Sequence, residues 1–113
     1  MDETTLRLIL DALPFPIVFV DTSHTIRLMN KRAKFHYYEE RGYRDLIGKS
    51  VFECHNETSK ARILEIVERL KNHGREVFLA VTGKNERLYV IPVRDDAGEL
   101  IGYFERFEGN YQK

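Results

Sequence analysis

The sequence predicts an α+β domain, a five-stranded antiparallel sheet with its helices packed on one face. Five short segments alternate in polarity or are β-branched, as strands do, and two segments repeat their apolar residues at helical spacing. The last three strand segments follow one another through short turns, which favours antiparallel neighbours. The predicted strands are residues 17–20, 25–29, 76–82, 87–94 and 100–108. Such strands with a few helices give an α+β architecture.

Length and composition indicate one globular domain. The chain has 113 residues, of which 42% are hydrophobic and 32% are charged. A domain of this size can bury a core without disulfides or a structural metal. We predict a single domain over residues 1–113, with an N-terminal helix at 1–13, a core at 14–108 and a tail at 109–113.

Charge and cysteine content exclude several classes of protein. Basic and acidic residues each number 18, and a net charge of zero argues against a nucleic-acid-binding domain. A single cysteine cannot form an internal disulfide, which indicates a reducing compartment. No apolar run is long enough to span a membrane, and the acidic start at Asp2 and Glu3 is unlike a signal peptide. We therefore predict a cytoplasmic protein, or the cytoplasmic part of a longer one.

The first predicted helix carries one apolar stripe and ends before Pro14. The residues at helical spacing are Leu6, Ile9, Leu10 and Leu13. The sequence leaves two interpretations of this stripe open. It packs either on its own domain or on a second copy of the chain.

A predicted hairpin, residues 17–20 and 25–29, is followed by Asn30. An asparagine at the end of a strand can bind the backbone of neighbouring segments. Residues 31–40 have a poor helical period, so we predict short, irregular helical turns there. Irregular segments over a sheet often form the wall of a pocket.

The second predicted helix has the strongest helical pattern in the chain. Its buried face is predicted from Ile63, Ile66, Val67 and Leu70. Asn56 or Thr58 is the candidate N-terminal cap, and residues 72–74, Asn-His-Gly, are the candidate stop. In the strands that follow, Pro92 cannot donate a ladder hydrogen bond, so we expect it at a bulge or a free edge.

Four sequence blocks resemble a PAS domain, in order and at normal spacing over residues 10–108. They are LDALPFPIVFVD, HTIRLMNKRA, RGYRDLIGKSV and IPVRDDAGELIGYFERFE. The resemblance implies a sensory or interaction module that holds a small molecule between the sheet and the helices, or that only dimerises. Such modules pass a conformational change to an attached effector, for example a kinase or a transcription regulator, and rarely catalyse a reaction.

Two departures from the family and one local similarity bear on function. Ser23-His24 stands where the turn after the first strand usually has a glycine, which affects the geometry of that turn. The long helix lacks the inward-facing histidine that ligates haem iron in some haem-binding members. The block CHNETS, residues 54–59, is similar to a CHP…S segment of PAS modules attached to hemerythrin-like proteins.

Cys54 and His55 are the first candidate ligand-binding and metal-binding residues. Thiolate and imidazole both bind zinc, iron or haem iron. Adjacent residues of an extended segment point opposite ways, so at most one of them is expected to bind an ion within one chain. Cys54 near a helix N-terminus is also a candidate redox switch. The structural alternative is a small buried Cys54 and a His55 that helps to start the helix.

The remaining candidate ligand contacts are polar or aromatic residues: Asn30, Tyr37, Tyr38, Tyr89 and Arg94. The structural alternative is hydrogen bonding for the asparagine and surface or edge packing for the others. His24, His36 and His73 are predicted to be solvated, because they lie in turns or on a polar segment.

The sequence therefore predicts a non-catalytic sensor domain that binds a small molecule or cofactor and relays a conformational change to a partner or attached effector. Haem is one candidate cofactor, and the sequence requires none. The alternative is a module that only forms homodimers, through the N-terminal helix, around a filled core. A small enzyme with Cys54 as nucleophile is a third class, although the chain has no P-loop, G-x-S-x-G, H-E-x-x-H or C-x-x-C motif. We predict neither a nucleic-acid nor a membrane partner.

Overall fold

The computed structural model describes residues 2–54, 57–72, 76–81 and 86–109. The helices are α1 (Glu3–Ala12), α2 (Lys31–Lys34) and α3 (Glu57–Asn72), and the strands are β1 (Val18–Asp21), β2 (Ile26–Met29), β3 (Val77–Val81), β4 (Glu86–Arg94) and β5 (Leu100–Gly109). A π-helix (Phe35–Glu40) follows α2 directly, and a 3₁₀ turn (Val51–Cys54) precedes α3. Within these ranges no helix combines the length and apolar character needed to cross a bilayer.

The five strands form one antiparallel sheet in the order β2-β1-β5-β4-β3, which confirms the predicted fold class. Val20 of β1 pairs with Ile26 of β2 on one side and with Tyr103 of β5 on the other. The first and last strands of the chain therefore meet at the centre of the sheet. Pro92 pairs with Tyr103 of β5 and lies beyond Val90, where the described pairing of β4 with β3 ends. Its position at a bulge or a free edge stays a prediction, because residues 73–75 lie outside the described residues.

The outer edge of β2 is covered by the chain that leads into the 3₁₀ turn. Ile26 donates its N–H to the carbonyl of Lys49 at 2.9 Å, and its own carbonyl accepts the N–H of Gly48 at 2.7 Å. Thr25 and Ser50 add an isolated antiparallel bridge. These bonds fix the start of the 3₁₀ turn against the sheet.

Helix α3 buries the apolar face that its spacing predicted. Its four core residues are at most 2% exposed: Ile63, Ile66, Val67 and Leu70. Thr58 lies inside the helix, which begins at Glu57, so the prediction of Thr58 as the N-terminal cap is wrong. The other candidate cap, Asn56, and the predicted stop at residues 73–74 lie outside the described residues.

Residues 31–40, predicted as short, irregular helical turns, form a four-residue α-helix that continues directly into a six-residue π-helix. Helix α2 passes directly into the π-helix, where the N–H of Arg41 donates to the carbonyl of His36 at 3.1 Å, five residues back. A π-helix places side chains away from the usual 3.6-residue spacing, which explains the poor helical period of this segment. We refer to residues 31–40 as the wall helix.

Helix α1 exposes most of its apolar stripe. No residue of α1 is buried, and Leu6 and Ile9 are 51% and 50% exposed. Leu10 and Leu13, at the C-terminal end of the stripe, are half-buried. Packing on its own domain therefore accounts for only that end of the stripe.

Candidate functional site

A small cavity lies between the sheet and the wall helix. Its lining comes from β1, β2 and β5, from the π-helix and from residues 46–51: Val18, Val20, Ile26, Met29, Tyr37, Leu46, Val51, Tyr103 and Glu105. The space open to the centre of a water molecule is about 10 Å³, roughly what one water requires. A larger guest would have to displace part of the lining.

Tyr103 and Glu105 bring polar groups from β5 to this apolar cavity. Burial raises the pKa of Tyr103, and the nearby charges of Glu105 and Asp21 raise it further. The hydroxyl of Tyr103 is therefore neutral at physiological pH and acts as a hydrogen-bonding group, not as a phenolate nucleophile. Largely apolar walls with two tyrosines and one glutamate suit the binding of a small guest.

His24 lies beside the cavity and is half-buried, so it is less solvated than the sequence predicted. Its Nδ1 is 3.2 Å from Oη of Tyr103, and its ring centroid is 5.0 Å from that of Phe52. Burial lowers the pKa of His24, the charge of Lys71 lowers it further, and Asp21 acts in the opposite direction. The spacing of apolar residues gave no signal for this contact, because 79 positions separate His24 from Tyr103.

His36 and His73 were also predicted to be solvated, and the structure describes only the first of them. His36 lies on the π-helix and pairs with Glu40 in an exposed contact of 3.0 Å between Nδ1 and Oε1. His73 lies outside the described residues.

Asn30 is 1% exposed, and its side chain is fully engaged with the backbone. Oδ1 accepts the N–H groups of Ile17 and Ala33, both at 2.9 Å. Nδ2 donates to the carbonyls of Leu10 at 2.8 Å and Phe15 at 3.1 Å. These four bonds fit the structural alternative for Asn30, and the residue is not part of the cavity lining. A ligand contact by Asn30 stays a prediction.

Of the predicted ligand contacts whose side chains the structure describes, Tyr37 lies in the cavity lining. The hydroxyl of its neighbour Tyr38 accepts the N–H of Leu46 at 3.1 Å and contacts Sδ of Met29 at 3.5 Å. Tyr38 therefore holds the π-helix to residue 46, while Tyr37 faces the cavity.

Tyr89 and Arg94 lie away from this cavity. The ring of Tyr89 packs against Phe78 at 5.7 Å, under the guanidinium of Arg106 at 4.4 Å. Since Tyr89 alternates with the core residue Val90, it occupies the opposite face of the sheet. Arg94 donates to the carbonyls of Gly98 and Leu70. As ligand contacts, both remain predictions that would need a second site.

Cys54 and His55 stay predictions as ligand, metal, haem or redox residues. Cys54 is the last residue of the 3₁₀ turn, whose first residue, Val51, lines the cavity. His55 lies outside the described residues. Among the side chains that the structure does describe, no group of three or more His, Cys, Asp or Glu is arranged to hold a metal ion.

Two side chains connect α1 to the wall helix. Asn30 binds the carbonyl of Leu10, near the end of α1. Asp11 accepts the N–H of Lys31, the first residue of α2, at 2.8 Å, and its other oxygen contacts Arg7 at 3.2 Å. Because α2 continues into the π-helix, one connected unit reaches from the end of α1 to Tyr37 at the cavity.

Comparison with known proteins gives a consistent family match. A family profile described as the PAS fold matches residues 10–108. No match was found among the curated proteins that were compared.

Solved structures with the same fold come from several bacteria. A C-terminal domain from Streptococcus mutans has a TM-score of 0.77 at 22% identity and covers 96% of this chain and 85% of its own. A sensory box sensor histidine kinase from Vibrio cholerae has a TM-score of 0.61 at 20% identity, with coverages of 93% and 89%. The PAS domain of BvgS from Bordetella pertussis has a TM-score of 0.63 at 20% identity, with coverages of 97% and 87%. At these identities the likeness shows the fold alone.

Proposed function

The chain belongs to the PAS fold family, and we propose that it is a non-catalytic, cytoplasmic signalling domain. It converts a change at the cavity into a change in how α1 packs on a partner or leads into an attached effector. The observation that carries this proposal is the connected unit that joins the cavity to α1. Tyr37 lies at one end of that unit, and Asn30 and Asp11 fix α1 at the other.

The signal in this proposal is a small molecule that enters the cavity. A space of about 10 Å³ holds little more than one water, so such a guest must displace part of the lining, and in this proposal it moves the wall helix away from the sheet. A ligand shifts a conformational equilibrium only to the extent that it binds one state better than the other. A cavity that is closed without the guest and open with it meets that condition. The chemical identity of the guest stays open.

Native mass spectrometry tests the ligand directly. We expect the purified protein to carry a mass above its 13.4 kDa chain, lost on denaturation. Val18→Phe adds a ring to the cavity lining and should abolish the extra mass. Leu28→Phe is the matched control on β2, because Leu28 pairs with Phe19 on the opposite sheet face and the variant should retain the ligand.

Two further readouts complete this experiment. An absorbance spectrum of the same sample distinguishes haem, by its Soret band, from a colourless ligand. Removal of the ligand should change hydrogen exchange in α1 if the connected unit relays the change. A bare mass for the wild type, with a native circular dichroism spectrum, would contradict ligand binding and favour the dimerisation module with a filled core.

We further propose that a second copy of the chain covers the exposed half of the α1 stripe. Leu6 and Ile9, on the stripe, each expose about half of their surface. Apolar residues gathered on one element in this way are typical of an interaction surface. A homodimer formed through α1 would bury them and would make the angle of α1 a property that both copies share.

Sedimentation velocity tests the dimer. We expect the double variant Leu6→Lys/Ile9→Lys to be monomeric at concentrations where the wild type is a dimer. The free energy of unfolding of the variant should differ from that of the monomeric wild type by less than about 0.5 kcal/mol per site, because both side chains are already exposed. Leu64→Lys is the control, since Leu64 is 38% exposed on α3 and should leave the dimer intact. A monomeric wild type would contradict the proposed homodimer.

A further inference from the structure

His24 holds a backbone conformation that its surroundings must maintain. Its φ is 64°, in the left-handed region that side chains other than glycine rarely adopt. Two backbone hydrogen bonds fix it, one from its N–H to the carbonyl of Asp21 and one to its carbonyl from the N–H of Val51, both at 2.9 Å. The second bond ties the β1–β2 turn to the first residue of the 3₁₀ turn.

The side chain of His24 makes contacts that glycine could not. Its Nδ1 lies 3.2 Å from Oη of Tyr103 on β5, and its ring packs on Phe52 of the 3₁₀ turn at 5.0 Å. The ammonium of Lys60 lies 5.4 Å from the centre of the Phe52 ring. One imidazole therefore joins the β1–β2 turn, the central strand and the segment that leads into α3.

We propose that His24 is a proton-sensitive latch, which is closed on Tyr103 and Phe52 when its imidazole is neutral and released when the imidazole is protonated. Release frees the side chains of Tyr103 and Phe52 from the imidazole, while the backbone bond between Val51 and His24 remains. Tyr103, and Val51 next to Phe52, belong to the cavity lining. The latch stands independently of any ligand, because its contacts are made by the protein alone.

The closed geometry favours the neutral ring. The hydroxyl of Tyr103 can donate to Nδ1 only while that nitrogen carries no proton. Protonation turns Nδ1 into a donor, so Oη of Tyr103 must accept instead of donate, and the hydroxyl proton must find another acceptor. Since burial and neighbouring charges raise the pKa of Tyr103, the residue cannot supply a phenolate to balance the new charge.

The charged groups around His24 do not favour an imidazolium. Lys71, on α3, acts against the protonated ring, whereas Asp21, on β1, acts for it. The Asp21 carboxylate already accepts the N–H groups of Ser23 and Thr25 and the Nε–H of Arg27. Its charge is therefore largely engaged. Lys60, against Phe52, adds a second cation on the side of the 3₁₀ turn.

The direction of the pH effect follows from these contacts. The pKa of His24 in the folded protein lies below its ordinary value of 6.5, so the unfolded chain binds the proton more readily. The latch makes its full contribution to stability above pH 6.5. This contribution is lost as the pH falls through the pKa of His24 in the folded protein. Acidification should therefore release the latch without unfolding the rest of the domain.

Nuclear magnetic resonance over a titration from about pH 8 to about pH 5, the range in which histidine changes charge, tests the latch. We expect the imidazole of His24 to titrate with a midpoint below 6.5. The backbone amides of Val51 and Phe52 should shift with the same midpoint. Tyr103→Phe removes the hydroxyl and should move the His24 midpoint upward, because the neutral ring loses its donor.

Two variants separate the latch from other titrating groups. In His24→Gln the pH-dependent shifts of Val51 and Phe52 should disappear, and His24→Asn offers the same test with a residue that tolerates positive φ. His36→Gln is the control and should leave those shifts unchanged. Shifts that persist in both His24 variants, or a His24 midpoint at or above 6.5, would overturn the proposal.

Discussion

Replacing Asn30 with alanine is expected to lower the free energy of unfolding by about 3–5 kcal/mol, because several buried backbone groups lose their hydrogen-bond partner. The side chain serves four of them, two N–H donors and two carbonyl acceptors, from Ile17, Ala33, Leu10 and Phe15. Water cannot easily replace these bonds, because Asn30 is 1% exposed. Urea denaturation with linear extrapolation measures the loss.

A surface asparagine provides the matched control for Asn30→Ala. Asn72 ends α3, and among the described residues its side chain makes an exposed bond to the carbonyl of Glu68 at 3.1 Å. We expect Asn72→Ala to cost less than about 0.5 kcal/mol. If Asn30→Ala were no more costly than Asn72→Ala, the four-bond junction could not be what fixes α1 to the domain.

The substitution Val67→Asp is expected to prevent folding altogether. Val67 is 2% exposed in the middle of α3, and an unpaired carboxylate there loses its hydration without a partner. The penalty of several kcal/mol is comparable to the whole stability of a small domain, about 5–15 kcal/mol. Circular dichroism and one-dimensional proton spectra of the purified variant measure the outcome.

Leu64→Asp tests whether burial, rather than helix propensity, decides that result. Leu64 lies on the same helix, three residues earlier, but is 38% exposed. The same change of side chain should leave the domain folded there, with a loss of about 1 kcal/mol or less. A folded Val67→Asp protein would show that this face of α3 is not core.

Sequence patterns predicted the elements that bury one regular face. Ile63, Val67 and Leu70 repeat at helical spacing and all lie in the core. Segments without such a repeat were predicted less well. The apolar residues of the wall helix do not repeat at 3.6-residue spacing, because its second half is π-helical. The sequence pattern therefore did not indicate one continuous helix.

The core face of β4 was harder to predict because both faces of this strand are apolar. Alternation separates Tyr89 from Val90, but it does not say which of the two faces the helices. The structure places Val90 in the core and Tyr89 beneath Arg106 on the other face. The contact of His24 with Tyr103 was not predicted either, because Tyr103 lies on a strand far along the chain.

The bonds along the outer edge of β2 have a consequence for self-association through strands. An open sheet has two edges, and each unpaired edge is a template for an added strand from another molecule. At β2 that template is already occupied, because Ile26 bonds to Gly48 and Lys49 and Thr25 bridges to Ser50. The other edge is β3, where Phe78 and Val81 are exposed. Of the two edges in the described sheet, β3 is therefore the one where a strand from another molecule would pair, and there Arg62 already donates to the carbonyl of Phe78 at 3.3 Å.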